Sequence, residues 1–371
     1  MNILIVGGGT AGHINPALAI ADYINTKQPD TNIFFAGRRK GMEYNLVTKE
    51  GYPFYNIEVN GIQRKLTSKN IVRNIKALAL LLSSPHVASK IIKETKPDIV
   101  IGTGGYVSWP IVNMAAKKGI KTYIHEQNAY PGITNKLLAK KATKIFVASK
   151  KAVDKIGFPE KSIVCGNPVK PEITLQDKKA SREKLNINND ETLILSFGGS
   201  LGAEKINRTI ADVIAWHTNN KDLKIKHIHA TGSYGVDLFK DLSKEKEFYN
   251  NENIDIREYI EDMPLCLSAA DLVISRAGAI TLAELASLGK ASILIPSPNV
   301  AENHQYHNAM ELQETGAAIV FTEKELTEEK IISKIENLVK NKNLLEQMGE
   351  NAKKCAVTNT LEIIYDTIFN G

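Results

Sequence analysis

Two glycine-rich stretches stand where phosphate chemistry would be done. Gly7-Gly8-Gly9-Thr10-Ala11-Gly12 follows the apolar run 3–6, and Gly198-Gly199-Ser200-Leu201-Gly202-Ala203 follows the apolar run 193–197. A glycine turn between a strand and a helix lets the backbone approach an anion closely, because no Cβ intervenes. The helix start then offers unpaired N–H groups and the positive end of its dipole. Gly7, Gly9 and Gly12 satisfy G-x-G-x-x-G, but the dinucleotide form of that pattern needs an acidic residue after the second strand to hold a ribose. Here the run 33–36 passes into Gly37-Arg38-Arg39-Lys40, which argues against NAD. Two matched loops suggest one for a donor's diphosphate and one for a second phosphorylated substrate. Tight turns without a ligand are the plainer reading, and the minority one for a matched pair. Ser200 also suits a helix N-cap, and Thr281-Leu282-Ala283-Glu284 has the form of a capping box.

The elements that must position these residues are legible as short continuous apolar runs alternating with helix-like stretches. The runs are 3–6, 33–36, 99–101, 122–124, 145–148 and 163–165, then 193–197, 226–229, 254–258, 272–275, 292–295 and 318–320. Continuous rather than alternating apolar residues are expected of strands covered on both faces by helices, the mark of parallel α/β sheets. Gly166-Asn167-Pro168-Val169-Lys170-Pro171 breaks regular structure. The expected domains are 1–167 and 168–355, with a helix at about 356–371 that can pack back on the first. Each half opens with a strand, a glycine cluster and a helix, as if one fold were used twice.

At 371 residues, 43% hydrophobic and 24% charged, the chain has the size and composition of a globular protein of two domains. Three scattered cysteines, with no CxxC or Cys/His spacing, favour a reducing compartment over disulfides or structural zinc. No segment reaches the ~20 apolar residues that span a bilayer. Residues 1–168 carry 24 Lys and Arg against 10 Asp and Glu, and the remainder carries 23 against 31. A basic half joined to an acidic half points to an anionic partner for the first: nucleic acid, an acidic membrane surface or a phosphorylated substrate. The basic residues lack interleaved aromatics, which disfavours nucleic acid.

Gly8-Gly9-Thr10-Ala11-Gly12-His13, Gly104-Gly105-Tyr106-Val107-Ser108-Trp109-Pro110, His125-Glu126-Gln127-Asn128, Gly166-Asn167-Pro168-Val169, the second glycine loop, Arg276-Ala277-Gly278-Ala279 and His304-Gln305-Tyr306-His307-Asn308-Ala309 occur in that order. This set, spread over nearly the whole chain, resembles the MurG family of bacterial N-acetylglucosaminyltransferases of peptidoglycan synthesis. The resemblance implies an α/β GT-B fold, two Rossmann-like domains with parallel sheets facing across a cleft. It implies inverting transfer of GlcNAc from UDP-GlcNAc to the C4 hydroxyl of MurNAc in lipid I, giving lipid II, with no metal and no cofactor.

The resemblance also implies residue roles. Ser200 and neighbouring amides would hold the donor diphosphate, and Glu284 the ribose hydroxyls, since a carboxylate accepts well from two vicinal hydroxyls. Ile260, Ala279, Thr281 and Leu282 would frame the uracil. Gln305 would read the donor sugar, with Asn128, Thr10, Ala11 and Gly12 contributing from the first domain. Lys170 would meet the diphosphate with a point charge, lacking the arginine fork. Gly9, His13 and Tyr106 would shape the acceptor site. An attacking hydroxyl must lose its proton, and His13 is the leading general base. Glu126 is the alternative base or a partner that orients the histidine.

A helix over 71–82 places Ile71, Ile75, Leu78 and Leu82 on one face with Val72 and Ala79 beside them, and Lys69, Arg73 and Lys76 flank it. A core helix explains that pattern by itself. The basic surplus, including Lys117, Lys118, Lys121, Lys136, Lys140, Lys141 and Lys144, tips the expectation toward peripheral attachment to an anionic membrane from the cytoplasmic side. Another UDP-sugar enzyme on the same fold, such as a UDP-GlcNAc 2-epimerase, is the alternative function.

Overall fold

The computed structural model describes residues 1–59, 68–249 and 251–371, apart from the side chains at 68–73, 75, 76, 78, 79, 81 and 301. In chain order the first elements are β1 (Asn2–Gly7), α1 (Ala11–Lys27), β2 (Asn32–Gly37), α2 (Met42–Lys49), β3 (Phe54–Asn56), α3 (Ser68–Thr95) and β4 (Ile99–Gly104). Then come α4 (Ser108–Lys117), β5 (Lys121–Glu126), α5 (Ile133–Ala139), β6 (Lys144–Val147), α6 (Lys150–Ile156) and β7 (Ser162–Val164). The second series is α7 (Pro171–Thr174), α8 (Lys178–Lys184), β8 (Thr192–Phe197), α9 (Glu204–Asn219), β9 (Ile225–Ala230), α10 (Val236–Glu245) and β10 (Ile254–Arg257). It continues with α11 (Met263–Ala269), β11 (Leu272–Ser275), α12 (Ala279–Leu288), β12 (Ala291–Leu294), α13 (His304–Glu314), β13 (Ala318–Val320), α14 (Glu328–Lys340) and α15 (Lys342–Lys354). The last helix is α16 (Thr360–Phe369).

The chain divides into two compact units, Met1–Pro168 with Asn359–Gly371, and Val169–Thr358. Unit 1 holds a seven-stranded sheet in the order β3-β2-β1-β4-β5-β6-β7, and unit 2 a six-stranded sheet in the order β10-β9-β8-β11-β12-β13. Every pairing is parallel. The expected α/β class with two Rossmann-like parallel sheets is met.

In β1 the pleat sends Ile3 and Ile5 to one face and Leu4 and Val6 to the other, and both faces are covered. That is why the strand reads as an unbroken apolar run. α16 belongs to unit 1: Ile364 and Ile368 join the core face of Ile3, Ile5 and α1. Thr360 Oγ1 donates to the Cys165 carbonyl at 2.5 Å, and Gln28 Nε2 donates to Tyr365 Oη at 3.0 Å.

In each sheet the strand order reverses once, between β1 and β4 and between β8 and β11. Ligands of open α/β sheets bind beyond the carboxyl ends of the strands at such a switch point. Both glycine loops lie there, directly after β1 and β8.

Among the described residues no helix is long and apolar enough to cross a membrane. Of the face read at Ile71, Ile75, Leu78 and Leu82, only Leu82 has a described side chain, and it is 75% exposed. Ile71, Val72, Ile75, Leu78, Ala79, Lys69, Arg73 and Lys76 lie outside the described side chains.

Candidate functional site

In unit 1 the loops after β1 and β4 pack backbone to backbone. Gly104 and Gly105 have φ of 108° and 80°. A Cβ on Gly105 would lie 2.2 Å from the Gly8 carbonyl oxygen, and one on Gly104 would lie 2.7 Å from His13 Nδ1. The glycines therefore let the second loop press against the first and let the His13 ring lie on bare backbone. Thr103 Oγ1 fixes the start of α1 by donating to the His13 carbonyl at 2.7 Å. Thr10 is the N-cap of α1, and its side chain makes no cap bond. Thr10, Ala11, Gly12 and His13 thus line an open helix start, with Tyr106, 52% exposed, on the neighbouring loop.

Gly9 differs from the phosphate-cradle picture. Its N–H donates to Glu43 Oε2 at 3.3 Å, while Arg38 N–H donates to Glu43 Oε1 at 3.0 Å. Glu43 is fully buried and lies 3.8 Å from the Arg38 guanidinium. An internal carboxylate from α2 already occupies one loop amide.

Glu126, at the end of β5, is 1% exposed. Its Oε1 accepts from the Asn128 backbone and side chain at 2.9 and 3.1 Å. Its Oε2 accepts from Gly132 N–H and Asn135 Nδ2 at 3.0 and 2.9 Å. Four donors fill this carboxylate, so it organises the 127–135 loop and presents Asn128. The side chain that meets His13 is Gln127, whose Oε1 lies 3.1 Å from His13 Nδ1. Sequence reading passed over Gln127, although it stands inside the His125–Asn128 motif.

In unit 2 the second glycine loop is closed by a backbone contact with the segment after β9. A Cβ on Gly202 would lie 2.1 Å from the Thr231 carbonyl, and one on Gly232 would lie 2.0 Å from Gly202 N. Ser200 is exposed at the loop tip and does not cap a helix. The N-cap of α9 is Ala203, with no side-chain bond. The first N–H groups of this 16-residue helix are thus left for an anion.

The capping box read at Thr281–Glu284 does not form, because α12 starts at Ala279 with Gly278 as its N-cap and no side-chain cap bond. Glu284 sits within the helix, and among the described residues no hydrogen-bond donor meets its carboxyl. Burial raises that carboxyl to about 7. Tyr259, half-buried just before Ile260, has its phenol raised by that partial burial and by the charges of Glu261 and Glu284.

Ile260 and Leu282 are buried in one core cluster, so Ile260 offers a ligand only its backbone. Ala279 and Thr281 lie in the first turn of α12. Gln305, in the first turn of α13, accepts from Ser297 N–H through Oε1 at 2.8 Å, and among the described residues no acceptor meets its amide NH2 group. Lys170 is the N-cap residue of α7.

Beneath the second loop runs a buried chain of polar groups. His217 Nε2 lies 3.3 Å from His227 Nδ1, and Ser196 Oγ lies 2.7 Å from His227 Nε2 and 2.8 Å from His229 Nδ1. His229 Nε2 lies 3.2 Å from Asn207 Oδ1, and Asn207 Nδ2 donates to the Thr231 carbonyl at 2.9 Å. Burial lowers His217 to about 4 and His229 to about 3, and lowers His227 well below its ordinary value.

Two Rossmann-like parallel sheets, each followed at its switch point by a glycine loop and a helix whose N-cap makes no side-chain bond, are the architecture of nucleotide-sugar enzymes. The glycosyltransferase family 28 N-terminal domain model matches residues 3–147, and the family 28 C-terminal domain model matches residues 193–362. The UDP-N-acetylglucosamine--N-acetylmuramyl-(pentapeptide) pyrophosphoryl-undecaprenol N-acetylglucosamine transferase of Acetivibrio thermocellus is 44% identical over 369 residues, 99% of this chain and 97% of that protein. The crystal structure of MurG from Acinetobacter baumannii superposes with a TM-score of 0.73 at 28% identity, covering 100% of both chains. UDP-GlcNAc 2-epimerase from Neisseria meningitidis shares the fold alone, with a TM-score of 0.66 at 15% identity over 100% of both chains. The chain is a glycosyltransferase and belongs to the MurG family within glycosyltransferase family 28.

Proposed function

We propose that this protein transfers GlcNAc from UDP-GlcNAc to the C4 hydroxyl of MurNAc in lipid I, with inversion at the anomeric carbon, to give lipid II. The observation that carries this reading is the pair of open helix starts, α1 and α9, each placed by its own sheet at a switch point. On the donor side, Ser200 and the first amides of α9 hold the diphosphate, and Lys170 adds charge. Glu284 takes the ribose hydroxyls, the backbone of Ile260 meets the uracil edge, and the Gln305 amide reads the sugar. The full-length similarity to enzymes named for lipid-linked acceptors supports the acceptor assignment.

In the transfer, the acceptor oxygen forms a bond to C1 of GlcNAc as the bond from C1 to the diphosphate oxygen breaks. The hydroxyl proton passes to His13, and the electron pair leaves with UDP. Negative charge grows on the departing diphosphate, where the α9 N-terminus lowers its energy. With that charge met by amides and lysine, the reaction runs without a metal, and activity in excess EDTA checks this. A single inverting displacement needs one base and no protein nucleophile, as in inverting glycosidases.

The enzyme works at the cytoplasmic face of the cell membrane, held peripherally through unit 1. On α5, Ile133 and Leu137 stand one turn apart and are 57% and 60% exposed, with Lys136 and Lys140 beside them. Apolar side chains ringed by lysines suit an anionic leaflet, each lysine contributing about 1 kcal/mol. An Ile133→Ser/Leu137→Ser variant is expected to lose flotation with anionic vesicles while retaining UDP binding; undiminished flotation counts against this anchor.

The central assay is incubation with labelled UDP-GlcNAc and a lipid I analogue. Disaccharide product that depends on the acceptor is expected. Conversion of UDP-GlcNAc to its 2-epimer without an acceptor would replace this reading with the epimerase one.

A further inference from the structure

We propose that Gln127 is a positioning residue that, together with His125, holds His13 in the tautomer with its proton on Nδ1 and its lone pair on Nε2. The proposal rests on the reading of His13 as general base. It follows from the polarity of one hydrogen-bond chain whose far end is a backbone carbonyl.

The Gly166 carbonyl can only accept, so His125 Nε2, 3.0 Å away, carries a proton. His125 is fully buried, and burial lowers it to about 4, so near neutral pH it holds that one proton and its Nδ1 is an acceptor. Gln127 Nε2 lies 3.0 Å from this nitrogen and 2.8 Å from the Thr103 carbonyl. Both are acceptors, so the amide NH2 group must face them; the flipped amide would set oxygen against two lone pairs. Gln127 Oε1 is thereby aimed at His13 Nδ1, 3.1 Å away, and since it can only accept, Nδ1 carries the His13 proton. Nε2 is left bare, and among the described residues nothing bonds to it.

An imidazole with one nitrogen pinned by a neutral amide is oriented without being charged. The other ionisable groups around it are His125, which interacts electrostatically with it, Glu126, whose charge acts on His125, and Glu43, which holds Gly9 from α2. A carboxylate in the place of Gln127 would fix the same tautomer but also favour the imidazolium. Glutamine separates these two effects, and a positioned general base is worth about 10²–10⁴-fold, of which orientation is a part.

The test reads the His13 ring nitrogens directly. Protein labelled with 15N-histidine, with the His13 signals identified by their loss in His13→Ala, is expected to show Nδ1 protonated and Nε2 unprotonated in the neutral ring. Gln127→Leu is expected to mix the tautomers and to lower kcat by about 10–100-fold, part of what a positioned general base supplies, while KM for UDP-GlcNAc holds. Gln127→Glu is expected to keep the tautomer, recover part of the rate and move the acid limb of the pH–rate profile to higher pH. A wild-type spectrum with the proton on Nε2, or a Gln127→Leu enzyme with unchanged spectrum and kcat, overturns the proposal. Full turnover in His13→Ala would instead remove the base assignment, a result the ring spectra do not share.

Discussion

Glu284 concentrates the tension between stability and binding in one carboxyl. Burial raises it to about 7, against an ordinary value near 4.5, and no donor among the described residues compensates. Between those values the unfolded chain ionises before the folded one, so stability falls as pH rises through the window. The cost is fully present above pH 7 and amounts to at most about 3 kcal/mol. Glu284→Gln is expected to raise the melting temperature at pH 8, to leave it unchanged near pH 4, and to weaken UDP at least tenfold by calorimetry. In the wild type, UDP affinity is expected to rise from pH 6 to pH 8 as the acceptor carboxylate forms. Equal melting temperatures at pH 8 would contradict this account. The local motif around Glu284 pointed to a helix cap and only the resemblance gave it a ligand role, whereas Ser200 and His13 could be picked out from the sequence because they sit beside the two glycine loops. Gln127 and Glu43 could not, because their partners are distant: His13 is 114 positions from Gln127, and Gly9 is 34 from Glu43. The misread capping box has a local cause. Threonine and glutamate at the right spacing cannot show that the helix has already begun at Ala279.

At the scale of elements, two glycines with nearly equal dihedrals separate backbone strain from contact. Gly51 has φ of 81° with open space where a side-chain methyl would stand, whereas Gly105 has φ of 80° and would place Cβ 2.2 Å from the Gly8 carbonyl. Gly51→Ala is expected to cost the left-handed penalty alone, about 1–2 kcal/mol. Gly105→Ala is expected to cost more by denaturant titration, and to lower turnover because the His13 loop must move. Equal losses would mean that the two loops are not tightly packed. The strands themselves were legible as unbroken apolar runs, since each central strand is buried on both faces. The exception is β3, where Phe54 and Tyr55 are half-buried and Asn56 is exposed, too short and too wet an edge to show a pattern. The membrane-facing reading of the helix over 71–82 depended on charge rather than pattern, because an amphipathic stripe looks the same whether it meets a core or a lipid.

For the whole molecule, the buried histidines set an acid limit that falls unevenly on the two units. Among the described residues, unit 2 holds three buried histidines that burial lowers, His217, His227 and His229, and unit 1 holds one, His125. A histidine lowered on folding contributes stability above its ordinary value of 6.5, and that contribution is lost as pH falls through 6.5 toward its folded value. For a shift from 6.5 to about 4 this is on the order of 3 kcal/mol per residue. Unit 2 is expected to unfold at higher pH than unit 1. The two tryptophans report this separately, Trp109 in unit 1 and Trp216 in unit 2. Fluorescence of Trp109→Phe is expected to change before that of Trp216→Phe as acid is added; coincident transitions would show that the units melt together.

The placement of α16 has a consequence for synthesis. The ribosome releases 1–168 long before it makes 359–371, yet Ile364 and Ile368 cover part of that first core. At ~5–20 residues per second, the roughly 200 intervening residues take about 10–40 s. For that interval the nascent amino-terminal half carries an uncovered apolar groove beside α1, while the carboxy-terminal half has time to fold first.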